Sequence, residues 1–232
     1  MKRFLCVICF CAAAGIAARA ASFSATSGFG PTNPSGPWSY GTAGPGDLGN
    51  LDATFTAMPT FVANCSSGGG FSADCWVGGD AVVARPTGTF GTGSVQYTAG
   101  YVNLHPASAL NMAVLAFVAP SAGLYDFSGE FRDHDTAGGS GVRFSAALGD
   151  GTLLSDTIAG AVFNPVAFNF SQSLAAGQRV YFALGAQGDF SFDSVGLNLA
   201  VRDQAGAAVP EPGSLVLVPL GAAALWALRR RR

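Results

Sequence analysis

The chain has 232 residues, 49% of them hydrophobic and only 11% charged, with 32 glycines and five cysteines. Seven of its twelve basic residues sit at the ends, so residues 22–208 carry five arginines, no lysine and thirteen acids, a net charge of −8. That balance excludes a nucleic-acid partner and an anionic lipid surface, since both need clustered positive charge, and is compatible with solubility, calcium or a polysaccharide matrix.

Residues 1–20 read as a secretory signal peptide. Lys2 and Arg3 form a basic start, Phe4 to Ala18 are mostly apolar, and Ala18-Arg19-Ala20 supplies the small-x-small pattern before a cut ahead of Ala21 or Ser22. Cys6, Cys9 and Cys11 leave with that segment, and none follows a small-residue cleavage motif of the lipoprotein kind.

Residues 21–94 are the Gly/Pro/Ser-rich part of the body, where turns and irregular loops are expected to dominate. Pro31-Thr-Asn-Pro-Ser-Gly-Pro37 must bend, and Trp38 and Tyr40 after it read as anchors of a sandwich edge in preference to sugar-stacking platforms. The body retains two cysteines, Cys65 and Cys75, and an even pair in an exported chain predicts a disulfide. Metal ligation lacks a third cysteine and a nearby histidine.

Residues 95–203 are expected to form the sandwich core. Met112 to Val118 is a continuous apolar run long enough for one buried strand. Tyr125, Phe127 and Phe131 recur at even spacing with Asp126, Ser128 and Glu130 between them, and Val142, Phe144, Ala146 and Leu148 alternate likewise. Phe168 and Phe170 lead to a turn at 175–177 and then to Val180, Phe182 and Leu184. Val195, Leu197, Leu199 and Val201 close the series. Turns arriving about every 8–12 residues, with no amphipathic helix between them, predict an all-β, antiparallel β-sandwich or jelly-roll body.

A linker over 204–208 precedes the tail at 209–232. There Pro210, Glu211 and Pro212 come first, then an apolar run from Leu215 to Leu228, then Arg229, Arg230, Arg231 and Arg232. As a helix the run would be about 21 Å long, short of the bilayer core of about 30 Å, and Pro219 weakens it further. The arginines stay on the cytoplasmic side and set the topology. On the residues alone, a permanent transmembrane helix and a segment held briefly before processing both remain open.

In its parts, their order and their terminal position, the tail resembles the PEP-CTERM sorting signal of Gram-negative bacteria. The resemblance implies recognition by an exosortase, a membrane-embedded cysteine transpeptidase, with transient residence in the inner membrane. It also implies cutting near Pro210-Glu211-Pro212 and delivery of the body to the cell surface or outside the cell. Three stretches, Val118–Tyr125, Leu174–Phe182 and Gly188–Leu197, are similar to the jelly-roll bodies that recur among such substrates and resemble carbohydrate-binding modules. That likeness implies a fold more strongly than a ligand.

Chemistry in the body is sparse. Glu130, Asp133 and Asp135 with His134 between the last two form the most polar stretch, and Asp189 and Asp193 form a second acidic corner. Both read as solvated loop charges, with calcium as the alternative, because calcium takes six to eight oxygens. Asp133-x-Asp135 lacks the glycine and terminal glutamate of an EF-hand. Glu130 and Asp133 would serve as a glycosidase pair only at the required separation with one raised pKa. Gly138-Gly-Ser140-Gly lacks the spacing of a nucleophile elbow. The expectation is a non-catalytic protein without a cofactor, structural or associated with extracellular polysaccharide in a biofilm. The alternatives are a secreted enzyme acting on polysaccharide and a tail-anchored periplasmic protein.

Overall fold

Sixteen strands and one short helix make up the computed structural model, which describes residues 20–44, 50–107, 111–149, 151–160 and 164–204. The strands run β1 Ser22–Ser24, β2 Trp38–Ala43, β3 Thr56–Ala57, β4 Thr60–Gly68, β5 Phe71–Gly78, β6 Ala81–Pro86, β7 Phe90–Thr92 and β8 Val95–Tyr97. They continue as β9 Val102–His105, β10 Met112–Val118, β11 Gly123–Asp133, β12 Val142–Leu148, β13 Gly151–Ile158, β14 Val166–Leu174, β15 Arg179–Ala186 and β16 Val195–Asp203. The helix α1 spans Leu51–Thr54. Residues 21–204 form one compact unit.

Two antiparallel sheets face each other across the core. One follows the order β14-β11-β16-β9-β6-β5-β4, with β1 also paired to β16, and the other β13-β12-β15-β10-β2-β3. Period-2 alternation decides what lies between them. Phe127 and Phe131 from β11, Phe144 from β12, Phe168 from β14, Phe182 from β15 and Leu197 from β16 all turn inward and pack in one cluster. Phe131 and Phe144 stack with ring centroids 4.2 Å apart across the sheets. Near the other end of the core Tyr40 lies parallel to Trp76 at 5.8 Å. Trp38 and Tyr40 are fully buried, as their reading as core anchors requires.

The apolar run of β10 is continuous because both of its faces are covered. Ala113, Leu115 and Phe117 enter the central core. Met112, Val114 and Ala116 belong to a second cluster outside the smaller sheet, capped by Leu51 and Phe55 and fastened where the Tyr181 hydroxyl donates to Asp52 Oδ1 at 2.5 Å. The β7–β8 hairpin covers part of the larger sheet in the same manner, with Phe90 and Tyr97 over Ala73, Cys75 and Ala84.

Three expectations need correction or completion. Residues 21–94, expected to be mostly turns and loops, contribute β1, β2 and the β4-β5-β6 meander to the two sheets. Glycine and serine did not break these strands because each is narrow where a neighbour is close. A Cβ on Gly41 would strike the Phe55 ring, and one on Gly78 would press on Met58 at 3.0 Å. β13, with the polar sequence Gly-Thr-Leu-Leu-Ser-Asp-Thr-Ile, is an edge strand that no periodicity announced. Residues 1–19 of the expected signal peptide, the expected linker after Gln204 and the tail with Pro210, Glu211, Pro212 and Arg229 to Arg232 lie outside the described residues. Among the described residues no helix is long and apolar enough to cross a membrane.

Candidate functional site

On β11 the side chains of even number turn away from the core, and most of their neighbours on the flanking strands are polar as well. Asp126 lies between Ser171 of β14 and Arg202 of β16, and Ser22 of β1 stands beyond Arg202. One step along, Ser128 lies between Asn169 and Ala200, with Ser24 next in line. Glu130 follows, between Ala167 and Asn198. The outer surface of these four strands is therefore largely hydroxyls, amides and single charges, with Ala167 and Ala200 between them. It encloses an open groove of about 560 Å³ lined by Ser22, Asp126, Ser128, Asn169, Ser171 and Arg202 among others.

Hydrogen bonds hold the groove's one carboxylate in place. The Ser171 hydroxyl donates to Asp126 Oδ1 at 2.6 Å, and the Gln204 amide donates to Oδ2. These donors, Ser171 first, hold the Asp126 carboxyl below the usual range, with a smaller contribution from the Arg202 charge. Glu130 accepts from the Tyr101 hydroxyl at the far end of the same face. Burial, then the Glu130 contact, push the Tyr101 phenol up. Such a row of fixed donors and acceptors can bind polyhydroxylated molecules by hydrogen bonding, without an aromatic platform and without chemistry.

A second polar region lies at the inner end of β11, where the acidic stretch proves to be buried instead of solvated. Asp133, His134 and Asp135 are 4%, 2% and 2% exposed. They stay inside because each has a local use. Asp133 Oδ1 accepts from the Asp135 amide at 2.8 Å, Asp135 Oδ1 accepts from the Ala137 amide at 3.2 Å, and His134 Nδ1 lies 3.1 Å from Asn103 Oδ1. The His134 ring meets Tyr101 edge-on and fills the space left by Gly196. Burial, aided by the Arg132 charge, lowers its pKa to about 4. His105 ends β9, its Nδ1 3.2 Å from Ser194 Oγ, and burial lowers its pKa too.

The second acidic corner is split. Asp189 is exposed and caps its own loop through the Ser191 amide and hydroxyl. Asp193 is 2% exposed. Desolvation raises its pKa to about 7, the charges of Asp189, Asp133 and Asp135 add to this, and the nearby Gly141 amide offsets only part of it. Glu130 and Asp133 point to opposite faces of the sheet, being three residues apart on one strand, so they cannot flank one glycosidic bond. Among the described residues no three His, Cys, Asp or Glu side chains converge on a metal position by themselves.

Cys65 and Cys75 form the expected disulfide across the β4–β5 hairpin, their Cα atoms 5.9 Å apart. It spans the irregularity between Val62 and Ser66, where Asn64 takes a positive φ of 52°. The groove residues on β1, β14 and β16 escaped the sequence reading. Alternation marked Asp126 and Ser128 as outward, but nothing local tells which strands will lie beside them.

Comparison with known proteins adds little to this geometry. No protein-family model and no curated protein matches the chain in sequence. Among solved structures it is similar to the CBM51 of Clostridium perfringens GH95 in complex with methyl-galactose. That match has 15% identity and a TM-score of 0.33, over 47% of this chain and 72% of that one. It is also similar to a family 35 carbohydrate binding module from an environmental isolate, at 17% identity and a TM-score of 0.29, over 52% and 79% of the two chains. A Stig cyclase from Fischerella sp. TAU covers more, 71% of this chain and 98% of its own, at 12% identity and a TM-score of 0.32. Likenesses so remote fix neither a family nor a ligand. What stands on the chain's own geometry is the class: an antiparallel, nearly all-β sandwich with one disulfide and a polar outer face.

Proposed function

We propose that this chain is an exported, non-catalytic protein of the cell surface or extracellular matrix, sorted through its PEP-CTERM-like tail and associated with polysaccharide through the groove on β1, β16, β11 and β14. The observation that carries the role of the body is the groove itself. Its walls offer hydroxyls, an amide, a carboxylate anchored by two donors and a guanidinium, a set suited to sugar hydroxyls. The five arginines in a body of net charge −8 favour a neutral glycan over an acidic one. Delivery rests on the order of Pro210-Glu211-Pro212, apolar run and arginines. The disulfide supports an oxidising destination.

The test is retardation of the protein during native electrophoresis through gels that contain neutral polysaccharides. Wild type should be retarded by at least one of them, and the double variant Asp126→Ala, Asn169→Ala should migrate as in a plain gel. Equal retardation of both proteins would move the site elsewhere. No retardation on any polysaccharide would leave a passive matrix role.

A further inference from the structure

Asp193 enters the fold just ahead of β16 with 2% of its surface exposed, and neither carboxylate oxygen completes a hydrogen bond, although the Gly141 amide lies nearby. An ionised carboxylate in that position costs several kcal/mol unless something neutralises it. Water does not serve. The crevice it faces, lined by Asp133, Gly141, Ile158, Gly160 and Phe192, is too narrow to admit a water molecule.

Main-chain oxygens approach the glycines around this crevice closely. A Cβ built on Gly139 would fall 2.5 Å from Asp193 Oδ1, 2.6 Å from the Ser191 carbonyl oxygen and 3.1 Å from that of Phe192. One on Gly141 would fall 2.7 Å from the Ile158 carbonyl oxygen, and one on Gly160 would collide with the Gly139 carbonyl. Glycine at these positions permits the close approach of three chain segments, each of which brings main-chain carbonyl oxygens near the crevice. The segments are the loop between β11 and β12, the end of β13, and the loop between β15 and β16.

We propose that this crevice binds one calcium-type divalent cation, held by Asp193 with Asp133 and by main-chain carbonyls of those three segments. Calcium sits about 2.3–2.6 Å from its oxygen ligands, closer than the roughly 2.7–2.8 Å of a hydrogen-bonded water, so it enters where water cannot. With only two carboxylates on the lining, carbonyl oxygens must supply much of the shell. Such a hard, all-oxygen shell suits calcium and not zinc or copper, which take nitrogen and sulfur. The ion would neutralise Asp193 and tie three loops at one end of the sandwich. It stands apart from the glycan groove and does not depend on it.

The experiment uses the full chain in mild detergent, stripped with a chelator and heated with and without millimolar calcium chloride. Wild type should gain about 5 °C or more in melting temperature and take up one ion per chain by titration calorimetry. Asp193→Asn is isosteric, and without metal it should melt above stripped wild type, which shows that it folds. It should bind calcium at least about tenfold more weakly. The proposal is overturned if calcium, magnesium and manganese all leave wild type unshifted. It is overturned equally if Asp193→Asn responds to calcium as wild type does.

Discussion

Lowering the pH from 7 to 4 should remove about 3 kcal/mol of stability through His134 alone. The ring is 2% exposed, holds one hydrogen bond to Asn103, and has its Nε2 buried without a partner, so protonation would place a charge where nothing can solvate it. Its folded pKa of about 4 lies below the ordinary 6.5. A depressed pKa means that the unfolded chain binds the proton first. The stabilisation is therefore complete above pH 6.5 and is lost as the pH falls through 4. The gap of about 2.5 units corresponds to roughly 3 kcal/mol at about 1.4 kcal/mol per unit. Other groups titrate in this range, so the measurement is a difference. The melting temperature of wild type minus that of His134→Gln should narrow by about 6–12 °C between pH 7 and pH 4, using 2–4 °C per kcal/mol for a body of this size. A difference that stays constant over that range would mean that the imidazole is solvated and the packing of Tyr101, Asn103 and Gly196 around it is misplaced.

Truncating Phe131 to Ala should cost about 3–5 kcal/mol in urea unfolding, because its ring is fully buried and stacked 4.2 Å from Phe144; a cost below 1 kcal/mol would contradict that packing. Reducing Cys65–Cys75 closes no new contact but frees a loop with a separation of ten residues, so melting should fall by the equivalent of about 2–3 kcal/mol, read by calorimetry with and without reductant. Under the proposed sorting, Glu211→Ala should leave unprocessed precursor in the inner membrane on fractionation and immunoblotting, whereas unchanged release would refute the role given to Pro210-Glu211-Pro212.

The strands that could be read from the residues were those with large side chains on alternate positions. β11, β12 and β16 declare themselves because Phe, Tyr, Val and Leu must go to one face. β4, β5 and β6 did not, because their core face carries only Phe61, Trp76, Ala81 and Val83, while Ala73, Cys75 and Ala84 are buried on the outer face by Phe90 and Tyr97 of a hairpin that sequence does not place there. The acidic stretch misled for a related reason. Asp133-His-Asp135 looks like a solvated loop, yet backbone amides and Asn103 meet one polar atom of each side chain inside the fold. Asp193 could not be separated from Asp189 by sequence, since only the register of β16 sends one inward and leaves the other in solvent. The groove depends on strand neighbours brought together from opposite ends of the body, Ser22 beside Arg202 beside Asp126 beside Ser171.

The claim that everything else depends on is delivery: a glycan outside the cell is a partner only for a chain that leaves it. Intact mass of the protein recovered from the surface or medium of the producing cell measures this directly. The recovered chain is expected to have lost residues 1–20 or 1–21 and also Arg229 to Arg232, with one disulfide. A recovered chain that still carries its four terminal arginines would contradict it.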